Sequence, residues 1–228
     1  MKVASLVVLG TALAAGQVFA GDAVLKTEKD KVSYSIGHGM GSNFKVQAVE
    51  VDVEMLAKGI KDAMSDAKPV MSQEDMQKTM ADLRTRVMAK QQEKMAAVGS
   101  KNKTDGEAFL AKNKQAPGVK TTASGLQYQE IKAGTGKTPK ATDKVSVNYR
   151  GTLLDGTEFD SSYSRGTPAS FPVNGVIPGW TEALQLMKEG AKWKLFVPSA
   201  LAYGPQGAGG VIGPDAMLIF EVELLKVE

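Results

Sequence analysis

The chain has no cysteine and one histidine, His38, in 228 residues. Without cysteine there are no disulfides, no thiolate metal sites and no cysteine nucleophile. A lone imidazole nearly rules out serine–histidine triads and the usual zinc sites, so His38 reads as a structural or exposed residue. Charge of one sign is also missing. The net charge is +3, and from Val119 onward eleven basic residues face eleven acidic ones. No stretch clusters Lys and Arg as a nucleic-acid footprint requires. The one long apolar run, Val3 to Ala15, is too short for a spanning helix with normal flanks. The expectations are no metal, no cofactor, no nucleic-acid partner and no membrane span.

That apolar run has a different reading. Lys2 precedes it, and Val18 and Ala20 stand at the −3 and −1 positions of a cut after Ala20. Residues 1–20 are therefore predicted to be a secretory signal peptide. The protein is then exported, with a bacterial periplasm or exterior as the expected compartment.

Residues 21–71 form the next segment. Val32, Ile36, Met40 and Phe44 recur at helical spacing, as do Leu56, Ile60 and Met64. Two short amphipathic helices cannot enclose a core by themselves. Gly37, Gly39 and Gly41 interrupt the first, each costing about 1 kcal/mol of helix stability relative to Ala. Small residues allow close backbone approach, so a second copy of this chain is the expected occupant. Met40, Met55, Met64 and Met71 add adaptable contact surface.

Residues 72–115 read as a long connecting helix. Ser72 with Asp75 resembles a capping box, and Met71 with Met76 a hydrophobic staple. Met76, Met80, Leu83 and Val87 make one narrow apolar seam that fades after Gln91. The later part reads as solvated on most sides, with Gly99 and Gly106 as points where it could bend. Gln115-Ala116-Pro117-Gly118 ends it.

From Val119 the period becomes strand-like. Leu126 to Ile131, Val145 to Tyr149, Trp193 to Val197 and Met217 to Val222 read as strands, the last apolar enough to be central. Asp155-Gly156 marks a hairpin turn. Val176-Ile177-Pro178-Gly179-Trp180 ends an extended approach and opens a helix of about two turns, which is too short to persist alone. It must lie against the sheet, with Trp180 as a candidate pocket floor and Gly190 as its left-handed terminator. About five antiparallel strands and one short helix make this half α+β.

Tyr149-Arg150-Gly151-Thr152-Leu153, Phe159-Asp160-Ser161-Ser162, Val176 to Trp180, Ala202-Tyr203-Gly204 and Leu218-Ile219-Phe220-Glu221-Val222 appear in that order. In this order and spacing, residues 119–228 resemble the FKBP-type peptidyl-prolyl isomerases. The whole chain resembles the macrophage infectivity potentiator group of Gram-negative bacteria within that family. The resemblance implies an α+β architecture. It comprises an all-α N-terminal dimerisation module, a long connecting α-helix and an FKBP-like antiparallel half-barrel sheet around one short helix.

It also implies an activity, cis–trans isomerisation of Xaa-Pro bonds in exported proteins, and a homodimer. Macrolides of the tacrolimus and rapamycin type are the implied inhibitors. Carried over position by position, the proline ring rests on Trp180, and Tyr149, Phe159, Val176, Ile177 and Phe220 form the walls. Tyr203 and the main-chain N–H of Ile177 bind substrate carbonyls. Asp160, with Arg165 near it, faces the carbonyl of the rotating bond. Ala169 stands where the family often has an aromatic, which leaves one wall more open. The other class of function is a chaperone or adhesin that holds clients in the same pocket and the dimer cleft.

Overall fold

The computed structural model describes residues 25–65 and 67–228, so the signal peptide expected at 1–20 lies outside the described residues. The chain divides into two compact units after Gln73.

In the first unit, α1 (Glu28–Val46) starts on a capping box. The Thr27 side chain accepts from the Asp30 N–H, and the Asp30 carboxylate accepts from the Thr27 N–H. α2 (Val53–Met64) is capped by Asp52, which accepts from Glu54 and Met55. Both helices satisfy their first-turn donors locally, yet neither buries a single residue. Between them runs a groove of about 490 Å³ lined by Gly37, Met40, Gly41, Phe44, Leu56 and Ile60.

The second unit starts in α3 (Gln73–Asn113), whose 41 residues extend about 60 Å at 1.5 Å per residue. Gly99 and Gly106 are not bending points. They lie within the continuous helix and are its only buried residues among those described. A Cβ at Gly99 would stand 3.2 Å from the Pro214 Cβ, and one at Gly106 would stand 3.2 Å from the Met217 Cγ. The two glycines let the helix backbone lie directly on the loop before the last strand. Farther along, the Phe109 ring packs on Phe196 at 5.7 Å. Asn113 Nδ2 donates to Gln127 Oε1, and Gln127 Nε2 donates to the Leu110 carbonyl, both at 2.9 Å. The end of α3 is thus docked along one side, while most of its residues stay exposed, in keeping with the expected solvation on most sides.

The sheet has seven antiparallel strands: β1 (Val119–Thr121), β2 (Gln127–Lys132), β3 (Lys144–Thr152), β4 (Glu158–Ser161), β5 (Ala169–Pro172), β6 (Lys192–Val197) and β7 (Leu218–Val227). They run in the order β1-β2-β6-β7-β3-β4, with β5 also paired to β3, so β7 is central as its composition predicts. The sheet exceeds the expected five or so strands because β1, β4 and β5 have only three or four residues each. Such segments are too short to show a period of two.

Alternation places Val145, Val147 and Tyr149 of β3 on one face with Leu195 and Val197 of β6 and Leu218, Phe220 and Val222 of β7. Two further helices complete the unit: α4 (Ser162–Arg165), a single turn, and α5 (Pro178–Leu186). α5 buries Trp180, Ala183 and Leu184 in that core. Each large apolar side chain buried there contributes about 1.5–3 kcal/mol. α5 ends at Leu186, before the expected stop. Gly190, at φ +87°, serves the following turn, in which the Ala191 N–H donates to the Lys188 carbonyl. Among the described residues no helix is long and apolar enough to cross a membrane.

Candidate active site

Trp180 is placed by the residues just before it. Pro178 occupies the first turn of α5, where its missing N–H costs nothing. Gly179 has no room for a side chain, since a Cβ there would meet Val197 Cγ1 at 2.6 Å. The helix start is therefore pressed onto β6. Thr181 Oγ1 donates to the Val173 carbonyl at 2.8 Å and fastens α5 to the preceding turn.

The indole, 4% exposed, is walled by rings set edge-on to it. Tyr149 and Phe220 each stand 5.2 Å from it at 89° and 81°, and Phe171 stands 6.2 Å away at 90°. Phe159 in turn meets Phe220 edge-on at 5.5 Å. Edge-to-face packing presents positive ring edges to negative ring faces and holds such rings firmly. Gly151 makes the Phe159–Phe220 pair possible. A Cβ there would lie 2.6 Å from Phe159 Cζ and 2.8 Å from Phe220 Cε1.

At one edge of the cluster Tyr149 donates its hydroxyl proton to Asp160 Oδ2, Arg165 Nη1 donates to Asp160 Oδ1, and Arg165 Nη2 donates to the Tyr149 oxygen at 2.8 Å. The guanidinium also sits 5.4 Å above the Tyr149 ring. Partial burial pushes the Asp160 carboxyl up, but the Tyr149 and Arg165 hydrogen bonds and the Arg165 charge outweigh it and hold the group below the usual carboxylate range. Burial first, then the bond to Asp160, pushes the Tyr149 phenol up. Asp160 therefore stays ionised and Tyr149 stays protonated at neutral pH. Arg165 reaches them from the single turn α4, which Ser161 caps by accepting from the Ser164 N–H and Gly166 ends at φ +72°.

Phe159, Phe220, Trp180, Tyr149, Asp160 and Arg165 are thus linked in one continuous chain of contacts. Val176 and Ile177 are half-buried against the same core, and the Ile177 carbonyl caps α5 by accepting from Trp180 and Thr181. Tyr203 stands apart. It is 41% exposed and lies within the loop between β6 and β7, just before the tight turn Gly204–Gln206, with no ring or hydrogen-bond partner among the described residues. Ala169, at the start of β5, pairs with Val147.

Sequence reasoning left three residues out of the site. Phe171 contacts both Trp180 and Tyr149. Its signal was its place two residues after Ala169. Gly151 falls within the Tyr149–Leu153 motif, but its crowding by two rings depends on β4 and β7. The buried Ser162 accepts from the Tyr149 N–H at 2.9 Å and so ties β3 to α4, a pairing that no spacing predicts. Among the described residues no group of three or more His, Cys, Asp or Glu side chains could hold a metal ion.

Two family profiles match the chain. One, described as FKBP-type peptidyl-prolyl cis-trans isomerase, covers residues 135–225. The other, described as the domain amino terminal to it, covers residues 29–129. The chain is 45% identical to the outer membrane protein MIP of Legionella longbeachae, over all of this chain and 98% of that protein. It is also 45% identical to the peptidyl-prolyl cis-trans isomerase Mip of Coxiella burnetii, over 90% of this chain and 89% of that one. Among solved structures it is similar to FkpA from Escherichia coli, with a TM-score of 0.72 and 40% identity over 90% of this chain and 99% of that one.

Proposed function

The chain belongs to the FKBP-type peptidyl-prolyl cis-trans isomerase family and is such an isomerase; from that premise we propose that the ring cluster on Trp180 is where the substrate proline sits. The observation that carries this is the Trp180 indole walled edge-on by Tyr149, Phe171 and Phe220, with an ionised Asp160 at its edge.

The reaction needs no base and breaks no covalent bond. Resonance raises the barrier to C–N rotation to about 18–20 kcal/mol. Twisting the amide removes that resonance and its charge separation, so the twisted form is less polar than either planar form. An apolar site penalises the planar amide more than the twisted one, which is differential binding of the transition state. Trp180, Tyr149, Phe159 and Phe220 supply that environment and hold the ring still. The Tyr203 hydroxyl and the Ile177 main-chain N–H grip flanking carbonyls, so that only the bond between them turns. Asp160 acts on the carbonyl of the rotating bond by its fixed charge, and Arg165 with Tyr149 keeps that charge aimed. Uncatalysed isomerisation takes tens of seconds or longer, slow enough to limit the folding of exported clients.

The test is protease-coupled isomerisation of a Leu-Pro or Phe-Pro peptide with and without tacrolimus. Acceleration that the macrolide blocks and that Asp160→Ala and Tyr203→Ala each weaken is expected. Turnover untouched by all three would place the site elsewhere.

The same proposal includes a homodimer formed through α1 and α2, export to the periplasm or cell surface, and binding of tacrolimus-type macrolides. What supports the dimer is the apolar surface of the first unit: Val32 is 49% exposed, Ile36 58%, Met55 64% and Met64 84%. The same surface favours a second reading, in which the dimer cleft holds unfolded clients. Deleting residues 21–91, which spares the docked end of α3, should abolish prevention of client aggregation while leaving short-peptide turnover intact.

A further inference from the structure

We propose that Asn102 of α3 is a positioning residue for the isomerase site, fixing through one peptide unit the loop that begins at Tyr203; the inference rests on the reading of Tyr203 as a substrate-binding residue.

The loop from Tyr203 to Met217 has little structure of its own. It contains a tight turn at Gly204–Gln206, a second turn in which the Ala216 N–H donates to the Gly213 carbonyl at 3.4 Å, and one isolated bridge between Ala208 and Ile212. Gly204, Gly207, Gly209 and Gly210 all have positive φ. Asp215 does too, at +53°, a conformation that non-glycine residues adopt only when their surroundings hold them there. A cavity of about 410 Å³, lined by Val98, Lys101, Asp105, Leu154 and Val211, runs along this junction, so the loop is not packed on that flank. On that flank a few specific bonds add to the burial of Ile212, Pro214 and Met217 in setting its shape.

Two of those bonds fall on one peptide. The Pro214 carbonyl accepts from Asn102 Nδ2 at 2.8 Å, and the Asp215 N–H of the same peptide donates to the Gly204 carbonyl at 2.9 Å. In a trans peptide the oxygen and the N–H point to opposite sides, and none of the described peptides is cis. This one plane therefore bridges α3 to the residue immediately after Tyr203. Donation by Asn102 to the carbonyl also polarises the peptide and strengthens the bond its N–H makes.

The helix is built to present this donor. Gly99, Asn102 and Gly106 lie three and four residues apart, on one face. The bare backbone at Gly99 brings α3 close enough to the buried Pro214 for the short Asn side chain to reach its carbonyl. Losing the donor removes one of the bonds that hold this peptide, weakens the Gly204–Asp215 tie and widens the positions open to the Tyr203 hydroxyl.

The experiment is a double-mutant cycle on the mature chain using Asn102→Asp, a near-isosteric change that removes the donor, and Tyr203→Phe. Asn102→Asp is expected to lower kcat/KM for a Leu-Pro peptide about three- to tenfold, the range one hydrogen bond supplies. In the Tyr203→Phe background it should cost less than about twofold, because the hydroxyl through which it acts is gone. Amide exchange at Asp215 should quicken in Asn102→Asp, while the α5 amides stay as protected as before. Asn102→Ala serves the same cycle if the Asp variant does not fold.

Equal losses in both backgrounds would make Asn102 a structural tie only and overturn the inference. So would unchanged turnover in Asn102→Asp where Tyr203→Phe is impaired, an outcome that leaves the pocket assignment standing. If Tyr203→Phe alone changes nothing, the assignment of Tyr203 fails and takes this inference with it.

Discussion

Asp160 remains a carboxylate because two donors, Tyr149 and Arg165, are aimed at it despite its partial burial. A depressed carboxyl contributes stability that is fully present above its unfolded value of about 3.9 and is lost as the pH falls through the lower folded value. Tyr149 is pushed the other way, above its ordinary value of about 10. Neither group changes protonation between about pH 5 and 9. A plot of kcat/KM against pH should therefore be flat across that window and fall only in acid below the usual carboxylate range. A limb near neutrality would show that another group carries the chemistry. Asp160→Asn keeps the shape and removes the charge, so about a tenfold drop in kcat/KM is expected, with a smaller change in KM. Gly151→Ala acts by crowding alone. It forces Phe159 and Phe220 apart, and a denaturant melt should show a loss of about 1–3 kcal/mol, the usual cost of overpacking.

Glycine has opposite meanings in two helices. In α1, apart from the helix's own backbone, no atom of the described residues comes within 4 Å of a Cβ built at Gly37, Gly39 or Gly41. Within one chain, then, each Gly→Ala change there should stabilise α1 by about 1 kcal/mol. In α3 the same change at Gly99 meets the rigid Pro214 ring and at Gly106 meets Met217. The helix gain is opposed by contact in both places, more severely at Gly99, because a proline cannot swing aside as a methionine can. Thermal unfolding should show Gly99→Ala lowering Tm and Gly106→Ala changing it less. A clear rise in Tm for Gly99→Ala would mean that α3 is not held against the loop.

At the scale of the whole molecule, the first unit exposes what a folded chain ordinarily buries. α1 and α2 have no buried residue, and their shared groove is lined by Met40, Phe44, Leu56 and Ile60 beside Gly37 and Gly41. Exposed apolar surface of this kind marks an interaction site. A second copy laid into the groove would offset the helix cost of the glycines by close backbone contact. Light scattering on the mature chain should give twice the chain mass. Gly37→Leu with Gly41→Leu should shift it to the monomer without loss of short-peptide turnover, because the Trp180 site is built entirely within the second unit. A monomer before any substitution would end the dimer proposal.

The four longer strands, the central place of β7 and the helix that carries Trp180 are legible along the chain, and the resemblance of its ordered motifs brings Tyr149, Phe159, Asp160 and Phe220 to that helix. These are local or periodic signals: a proline at a helix start, alternation along a strand, a turn dipeptide, a motif in a set order. The short β1, β4, β5 and α4 and the place of Phe171 are not legible. That Gly99 and Gly106 dock a continuous α3 on the loop before β7 follows from tertiary packing and from nothing along the chain. The tertiary structure alone showed that Gly151 is held small by two rings, that Ser162 ties Tyr149 in place, and that Asn102 reaches Pro214 across 112 positions. A glycine that bends and a glycine that admits a neighbour look alike along a chain. The difference lies in which distant atom stands where the Cβ would be, and packing alone sets that.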